Sequence, residues 1–121
     1  MKPECAATIL HVSDVEASAK YYVEKLGFTI EFKYNDMIGL EYGPVLVYLS
    51  GPKQDVKKAS GQGSIYIFCD EVDNYYKDVS KKGAHIIVSL EARDYDMRDF
   101  AVADPDGNLL TFGKSTNDAN A

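Results

Sequence analysis

Residues 97–113 read MRDFAVADPDGNLLTFG. On both sides of DPDGN, hydrophobic residues alternate with small or polar ones, which is typical of two strands joined by a tight turn. Pro105 restricts one backbone torsion, and Gly107 can adopt the positive φ that such turns require. The segment therefore predicts a β-hairpin near the carboxyl end of the chain.

The same order of predicted elements occurs twice along the chain. Helices are expected over residues 14–27 and 70–83, each starting after an aspartate and ending at a glycine. Alternating apolar residues predict one strand before each helix and three strands after it. The sequence therefore predicts two β-α-β-β-β modules that form an internal repeat.

The chain of 121 residues is long enough to bury one core, so we expect a single domain over residues 1–121. Module 1 is expected at about residues 5–50, a polar, glycine-rich linker at 51–63, and module 2 at about 64–113. Residues 114–121 are small and polar, and we expect them to form a frayed tail.

The composition narrows the classes of partner. A net charge of −6 argues against a nucleic-acid or anionic-membrane surface and is compatible with a cationic small ligand. The sequence contains no apolar run long enough to span a membrane, so we expect a cytoplasmic protein. Two cysteines cannot form a disulfide framework, and Cys5 and Cys69 are expected to be reduced and buried.

Three motifs carry a resemblance to a known family: LHVSDVEAS at residues 10–18, KLGF at 25–28 and DPDGN at 104–108. Together they make the chain resemble the vicinal-oxygen-chelate superfamily, which includes glyoxalase I, the extradiol dioxygenases and the bleomycin-resistance proteins. The resemblance implies an α+β fold. Its two βαβββ modules would form a curved, eight-stranded mixed sheet with the helices on the convex side.

Strand alternation divides the residues of the predicted sheet between two faces. The face expected to pack against the helices is uniformly aliphatic: Leu10, Val12, Val47, Leu49, Ile65 and Ile67. The face expected to line the concave cavity is chemically mixed: Ala7, Ile9, His11, Leu46, Tyr48, Ser50, Ser64, Tyr66, Phe68, Leu109, Thr111 and Gly113. This contrast indicates that the concave face binds something.

The resemblance also implies where a metal would bind. Superfamily enzymes hold a divalent ion with His and Glu side chains on four equivalent strands, and the matching positions here are Ala7, Tyr48, Ser64 and Thr111. A stable site needs several His, Cys or carboxylate ligands. The sequence therefore predicts no metal, no cofactor and no catalytic residue. It favours the bleomycin-resistance-like branch over an enzyme.

Aromatic residues dominate the expected ligand pocket, because flat rings can stack on a planar ligand. The segment Tyr95–Arg98 resembles a loop that often reads Trp-Gly-any-Arg in bleomycin-resistance-like proteins, with Asp96 in place of the glycine. The candidate ligand-binding residues are His11, Tyr34, Tyr48, Tyr66, Phe68, Tyr95, Arg98 and Thr111.

Each candidate also has a purely structural interpretation. The tyrosines could belong to the core or to a dimer interface, and His11 could bond a tyrosine. Arg98 could simply pair with Glu41 or Asp99, a contact of little energetic value at a surface.

Three functions remain open at this point. The first is a homodimeric binding protein that sequesters a small aromatic, cationic molecule such as an antibiotic in a pocket at the dimer interface. The second is a glyoxalase-like lyase or isomerase, or a dioxygenase-type enzyme. It would use non-standard metal ligands or acid–base chemistry by His11 with a tyrosine. The third is a scaffold whose concave face is only the core of a dimer.

Overall fold

A computed structural model describes residues 1–55 and 58–117. Each module contains one strand, one helix and three further strands, which confirms the α+β class and the βαβββ pattern. Module 1 consists of β1 (Thr8–His11), α1 (Val15–Tyr21), β2 (Thr29–Tyr34), β3 (Met37–Tyr42) and β4 (Val45–Ser50). Module 2 consists of β5 (Ser64–Phe68), α2 (Val72–Lys81), β6 (His85–Ala92), β7 (Met97–Ala103) and β8 (Leu109–Ser115).

The first helix begins and ends at the predicted residues but is not α-helical throughout. The Asp14 carboxylate accepts a hydrogen bond of 3.1 Å from the backbone N–H of Ala17, which satisfies a free donor of the first turn. After Tyr21 the chain continues as a π-helical turn over Tyr22–Leu26, which stops at Gly27 with φ of 86°. Hydrophobic spacing did not predict this wider turn. Tyr22 and Leu26, which are buried at its two ends, lie four residues apart, and that spacing also fits an α-helix.

The eight strands are divided between two four-stranded mixed sheets. The strand orders are β1-β4-β3-β2 and β5-β8-β7-β6, and among the described residues no strand pairing joins the two sheets. In each sheet the first and last strands of the module are parallel, and the other neighbours are antiparallel. The two modules therefore share one topology.

Each sheet is covered by a helix on one face only. Helix α1 packs on β3 and β4, and α2 packs on β6, β7 and β8. We call the opposite face of each sheet its open face. Burial alternates as predicted, because Leu10 is 1% exposed on the helix side of β1 whereas its neighbour Ile9 is 51% exposed on the open face.

Strand β2 departs from the predicted alternation. We expected Phe28, Ile30, Phe32 and Tyr34 to share one face, but the register with β3 shifts between Ile30 and Phe32. Such a bulge reverses the side-chain phase. Phe28 stays in the core, whereas the ring of Phe32 lies against Gly39 on the open face.

The helix-packed faces of both modules contribute to a single hydrophobic core. Two tyrosines bond across the module boundary: Tyr21 donates to the carbonyl of Ala103, and Tyr75 donates to the carbonyl of Leu26. Because both helix-packed faces lie against this shared core, the two open faces are left exposed.

The DPDGN turn (residues 104–108) also joins the modules. The buried Asp104 carboxylate accepts hydrogen bonds of 2.9 Å from the Tyr22 hydroxyl and from the Asn108 side-chain amide. It also accepts the backbone N–H groups of residues 106 and 108. Asn108 in turn donates to the carbonyl of His11 and accepts from Gly63. The predicted hairpin is therefore also a contact between modules.

Three further expectations concern the ends of the chain, the cysteines and membrane spans. Strand β8 runs to Ser115, two residues into the expected tail, and residues 118–121 of that tail lie outside the described part. Cys5 is exposed rather than buried, and Cys69 is half-buried. In the described chain, no helix has the length and apolar character needed to cross a membrane.

Candidate functional site: two open faces

The open face of module 1 holds a hollow of about 590 Å³. Its floor is formed by Ile9, His11, Met37 and Ser50, and its wall is formed by residues of the linker. His11 is half-buried here, and among the described residues its imidazole forms no hydrogen bond, so the expected bond to a tyrosine is absent. The imidazole is therefore free to meet a ligand in the hollow.

Two more of the expected residues lie on this face. Tyr48 pairs with Ile9 across the β1–β4 ladder, and its ring meets that of Phe32 edge to face at 5.0 Å. Tyr34 lies opposite Met37 at the end of β2, with 72% of its surface exposed. The open face of module 1 thus carries an imidazole in the hollow and aromatic rings elsewhere on the same sheet.

The open face of module 2 is organised around the carboxylate of Asp99, which is only 3% exposed. One carboxylate oxygen accepts hydrogen bonds from the phenols of Tyr66 at 2.8 Å and Tyr95 at 2.6 Å. The other accepts from Arg93 Nε at 2.8 Å. We call these four residues the Asp99 cluster. It fixes two of the expected tyrosines in one orientation.

Neighbouring residues shape the surface around this cluster. Gly113 lies opposite Phe68 on β5, and a side chain at Gly113 would collide with the hydroxyl of Tyr66. The absence of a side chain therefore lets the Tyr66 phenol reach Asp99. The Phe68 ring lies 5.1 Å from that of Tyr66, and Thr111 lies opposite Tyr66 in the ladder.

The hydrogen bonds change the pKa values of the residues in the Asp99 cluster. Burial penalises the charged carboxylate, but the three donors outweigh this effect and hold the pKa of Asp99 below its ordinary value. Burial and the bond to Asp99 raise the pKa of Tyr66, and the same carboxylate raises the pKa of Tyr95. Both phenols therefore keep their protons at neutral pH and direct them towards Asp99.

Arg98 lies apart from the other candidates. It forms a bidentate ion pair with Asp73 of α2, with N–O distances of 2.8 and 3.0 Å, on the helix side of the sheet. Arg98 therefore pairs with Asp73 on the helix, and not with a strand neighbour such as Glu41 or Asp99, which we considered. In the loop before it, Asp96 has φ of 62°, the left-handed conformation that a glycine adopts easily.

Sequence reasoning missed two residues of the site. Asp99 was considered only as a partner for Arg98, although its position next to the core residue Phe100 in the alternation of β7 already placed it on the open face. A carboxylate at the centre of such a face was the available signal. For Arg93 no signal was available. It follows the end of β6, where strand alternation no longer assigns side chains to a face, and its long side chain reaches Asp99.

A family model described as the Glyoxalase/Bleomycin resistance protein/Dioxygenase superfamily matches residues 5–112. The chain belongs to this superfamily. The match confirms the resemblance that the three motifs indicated.

Individual proteins show how close the similarity is. A bleomycin resistance protein of Geobacillus stearothermophilus is 29% identical over 119 residues, which cover 85% of this chain and 90% of that protein. A Staphylococcus aureus protein of the same name gives the same values. The crystal structure of TioX from Micromonospora sp. ML1 has a TM-score of 0.81 at 19% identity, over 93% of this chain and 99% of TioX. This structural likeness concerns the fold alone.

The four positions that hold a metal in enzymes of this superfamily do not fit a divalent ion here. Ala7 supplies no donor atom, and Ser64 and Thr111 supply neutral hydroxyls, which are poor ligands. The Tyr48 ring packs against Phe32. In the described part of the chain, no three His, Cys, Asp or Glu side chains form a group that could hold an ion.

The lowered pKa of Asp99 predicts how the stability of the protein changes at acidic pH. We expect Asp99→Asn to lower the free energy of unfolding by about 1–3 kcal/mol at neutral pH, because it removes the charged acceptor of three partly buried hydrogen bonds. Since the folded pKa lies below the unfolded value of about 3.9, this stabilisation is present above that pH and is lost as the pH falls further. The stability gap between wild type and variant should therefore shrink below about pH 4.

Thermal unfolding of both proteins across this pH range tests the prediction. The exposed Asp94 in the same loop offers a control, and Asp94→Asn should leave the stability almost unchanged. A gap between wild type and Asp99→Asn that stays constant down to about pH 2 would show that the carboxylate is not charged in the folded protein.

Proposed function

We propose that this chain is a metal-free binding protein of the bleomycin-resistance type. It sequesters an aromatic, cationic small molecule in a pocket at the interface of a homodimer. The observation that carries the proposal is the set of exposed aromatic rings on the open faces, with the phenols of Tyr66 and Tyr95 held in place by Asp99. Rigid, exposed rings are suited to stacking on a planar ligand.

The bonding of the phenols favours a ligand that donates hydrogen bonds. The protons of Tyr66 and Tyr95 point to Asp99, so the lone pairs of their oxygens are left for a donor such as an ammonium group. The net charge of −6 adds a long-range attraction for cations. The bleomycin resistance proteins among its relatives suggest an antibiotic-like molecule, and a cytoplasmic location stays a prediction from the sequence.

The arrangement of the modules supports a homodimer. Each open face carries only part of the expected pocket: His11 and Tyr48 lie on one face, and Tyr66, Phe68 and Thr111 lie on the other. Because both helix-packed faces lie against the shared core, one chain cannot fold its own two open faces together. A second copy related by two-fold symmetry can bring module 1 of one chain against module 2 of the other, which gives two equivalent pockets.

Thermal shift with a panel of aromatic cations, including bleomycin, tests the proposal with and without EDTA. A ligand at 100 times its Kd stabilises the folded protein by about 2.7 kcal/mol, which is readily measured. We expect stabilisation that is indifferent to EDTA and to added divalent metals. Light scattering should give a particle of twice the 13.4 kDa chain mass.

Paired variants locate the ligand. Tyr95→Leu removes an exposed ring of the open face, and we expect it to weaken binding about tenfold through lost stacking and burial. Val23→Ala removes exposed apolar surface from the π-helical turn, outside the open faces, and serves as the control. Equal effects of both variants, metal-dependent stabilisation, or a monomer mass at high concentration would each contradict part of the proposal.

A further inference from the structure

A second cavity lies between the modules, away from the Asp99 cluster and the hollow beside His11. It has a volume of about 480 Å³, within the range of about 300–1,000 Å³ that small-molecule sites occupy. Module 1 contributes Phe28, which precedes β2, and the β3–β4 turn, and module 2 contributes the end of β5 and the first turns of α2. We call this cavity the inter-module cleft.

The wall of the cleft is aromatic and preorganised. The rings of Phe28 and Tyr42 meet at 5.5 Å and 90°, and those of Tyr42 and Tyr75 at 6.1 Å and 80°. The ring of Phe112 follows at 4.8 Å from Tyr75. Phe28 and Phe112 are buried, and Tyr75 is fixed by its hydrogen bond to Leu26, so the wall loses little freedom when a ligand binds.

The mouth of the cleft is acidic. Asp70, Glu71 and Asp78 line it, and the described lining residues include no lysine or arginine. Local bonds hold two of these carboxylates in place, since Asp70 accepts from the backbone N–H of Glu71 and Glu71 accepts from the Asn74 amide. Asp78 is paired with Lys82 at 3.1 Å, so Asp70 and Glu71 supply the net negative charge. These two carboxylates outweigh the positive end of the α2 dipole, which amounts to about half a charge.

We infer that the inter-module cleft binds an organic cation: an ammonium group attached to an apolar body about the size of a benzyl group. The ring faces attract the cation through their quadrupoles, and the carboxylates neutralise its charge at the mouth. A neutral ligand of the same shape would use only the apolar wall. This site is separate from the proposed pocket on the open faces, although Phe68 at the end of β5 borders both.

Calorimetric titration with benzyltrimethylammonium, and with neutral benzyl alcohol for comparison, tests the inference. We expect the cation to bind and the alcohol to bind at least about fivefold more weakly. The double variant Asp70→Asn/Glu71→Gln should weaken cation binding about fivefold, and so should Tyr42→Leu. Glu31→Gln removes an exposed charge from β2 outside the cleft and is the matched control.

Two further variants separate the possible outcomes. Asn74→Trp places a large side chain over the cleft from an exposed helix position, so it should abolish cation binding without unfolding the chain. Tyr95→Leu on the open face should leave unchanged the affinity of the cleft for the cation, which is measured as the component of binding that Asn74→Trp abolishes. Loss of cation binding in Tyr95→Leu but not in Tyr42→Leu would place the cation on the open face. That result would overturn this inference and leave the proposed function intact.

Two other results would also overturn the inference. Equal affinity for benzyltrimethylammonium and benzyl alcohol would show that charge is not recognised. A change of particle mass in Asn74→Trp would show that the cleft is a contact between copies of the chain. Circular dichroism of each variant confirms that it is folded before its binding is compared.

Discussion

Asp104→Ala should lower the free energy of unfolding by about 3–5 kcal/mol, because each buried donor left unsatisfied costs about 1–3 kcal/mol. The carboxylate accepts from four donors, namely the Tyr22 hydroxyl, the Asn108 amide and the backbone N–H groups of residues 106 and 108. Water can replace only part of these bonds, since Asp104 and Asn108 are both buried. The variant loses both the hydrogen bonds that stabilise the turn and those that join the two modules.

Asp106→Ala in the same turn is the matched control. Within the described ranges, the Asp106 carboxylate accepts only from the exposed backbone N–H of Ser13, at 3.1 Å from each oxygen, and water can replace that bond. We expect a loss below about 1 kcal/mol. Urea unfolding of both variants at one protein concentration measures the difference, because dimerisation would make the midpoint depend on concentration. Similar losses in the two variants would mean that the buried network contributes nothing beyond the turn.

Phe100→Ala should lower the free energy of unfolding by about 3–5 kcal/mol, the usual cost of truncating a buried phenylalanine. The side chain is fully buried between β7 and α2. Its ring stacks on Phe112 at 5.4 Å and meets the edge of Tyr76 at 4.9 Å. Truncation leaves a cavity under α2, and the surrounding rings are too large to close it.

Phe100→Leu retains most of the side-chain volume and should cost only about 1–2 kcal/mol. Denaturant unfolding gives both values. Hydrogen exchange should also show faster exchange in α2 for Phe100→Ala, because that helix packs on the vacated space. Equal destabilisation by Ala and Leu would indicate that the ring geometry, and not the filled volume, determines the stability.

The sequence predicted most of what depends on local pattern. Asp14 caps α1, Gly27 has the expected positive φ, and the aliphatic positions of β1 and β4 are buried under α1. These features follow from backbone sterics and from side-chain periodicity, which act over a few residues. The order of the elements then left few topologies available, and the two modules adopted the one that the motifs indicated.

What the sequence did not predict depends on contacts between distant residues. The β2 bulge changes the face of Phe32 and Tyr34 without any local signal such as a glycine in that strand. Tyr66 meets Asp99 across 33 positions, and Tyr22 meets Asp104 across 82. The inter-module cleft exists only because two modules pack together. Periodicity assigns a residue to a face, but it does not identify the partner on the neighbouring element.

The irregular register of the outer strands limits how this molecule can associate. An edge strand offers unpaired N–H and C=O groups to any extended chain, and natural proteins interrupt such edges to prevent aggregation. Here β2 carries one register shift and β6 carries two, while the opposite edges, β1 and β5, are only four and five residues long. Continuous strand addition is therefore discouraged at all four edges. Association is therefore expected through the side chains on the sheet faces, where the shape and chemistry of the surface determine which partner binds.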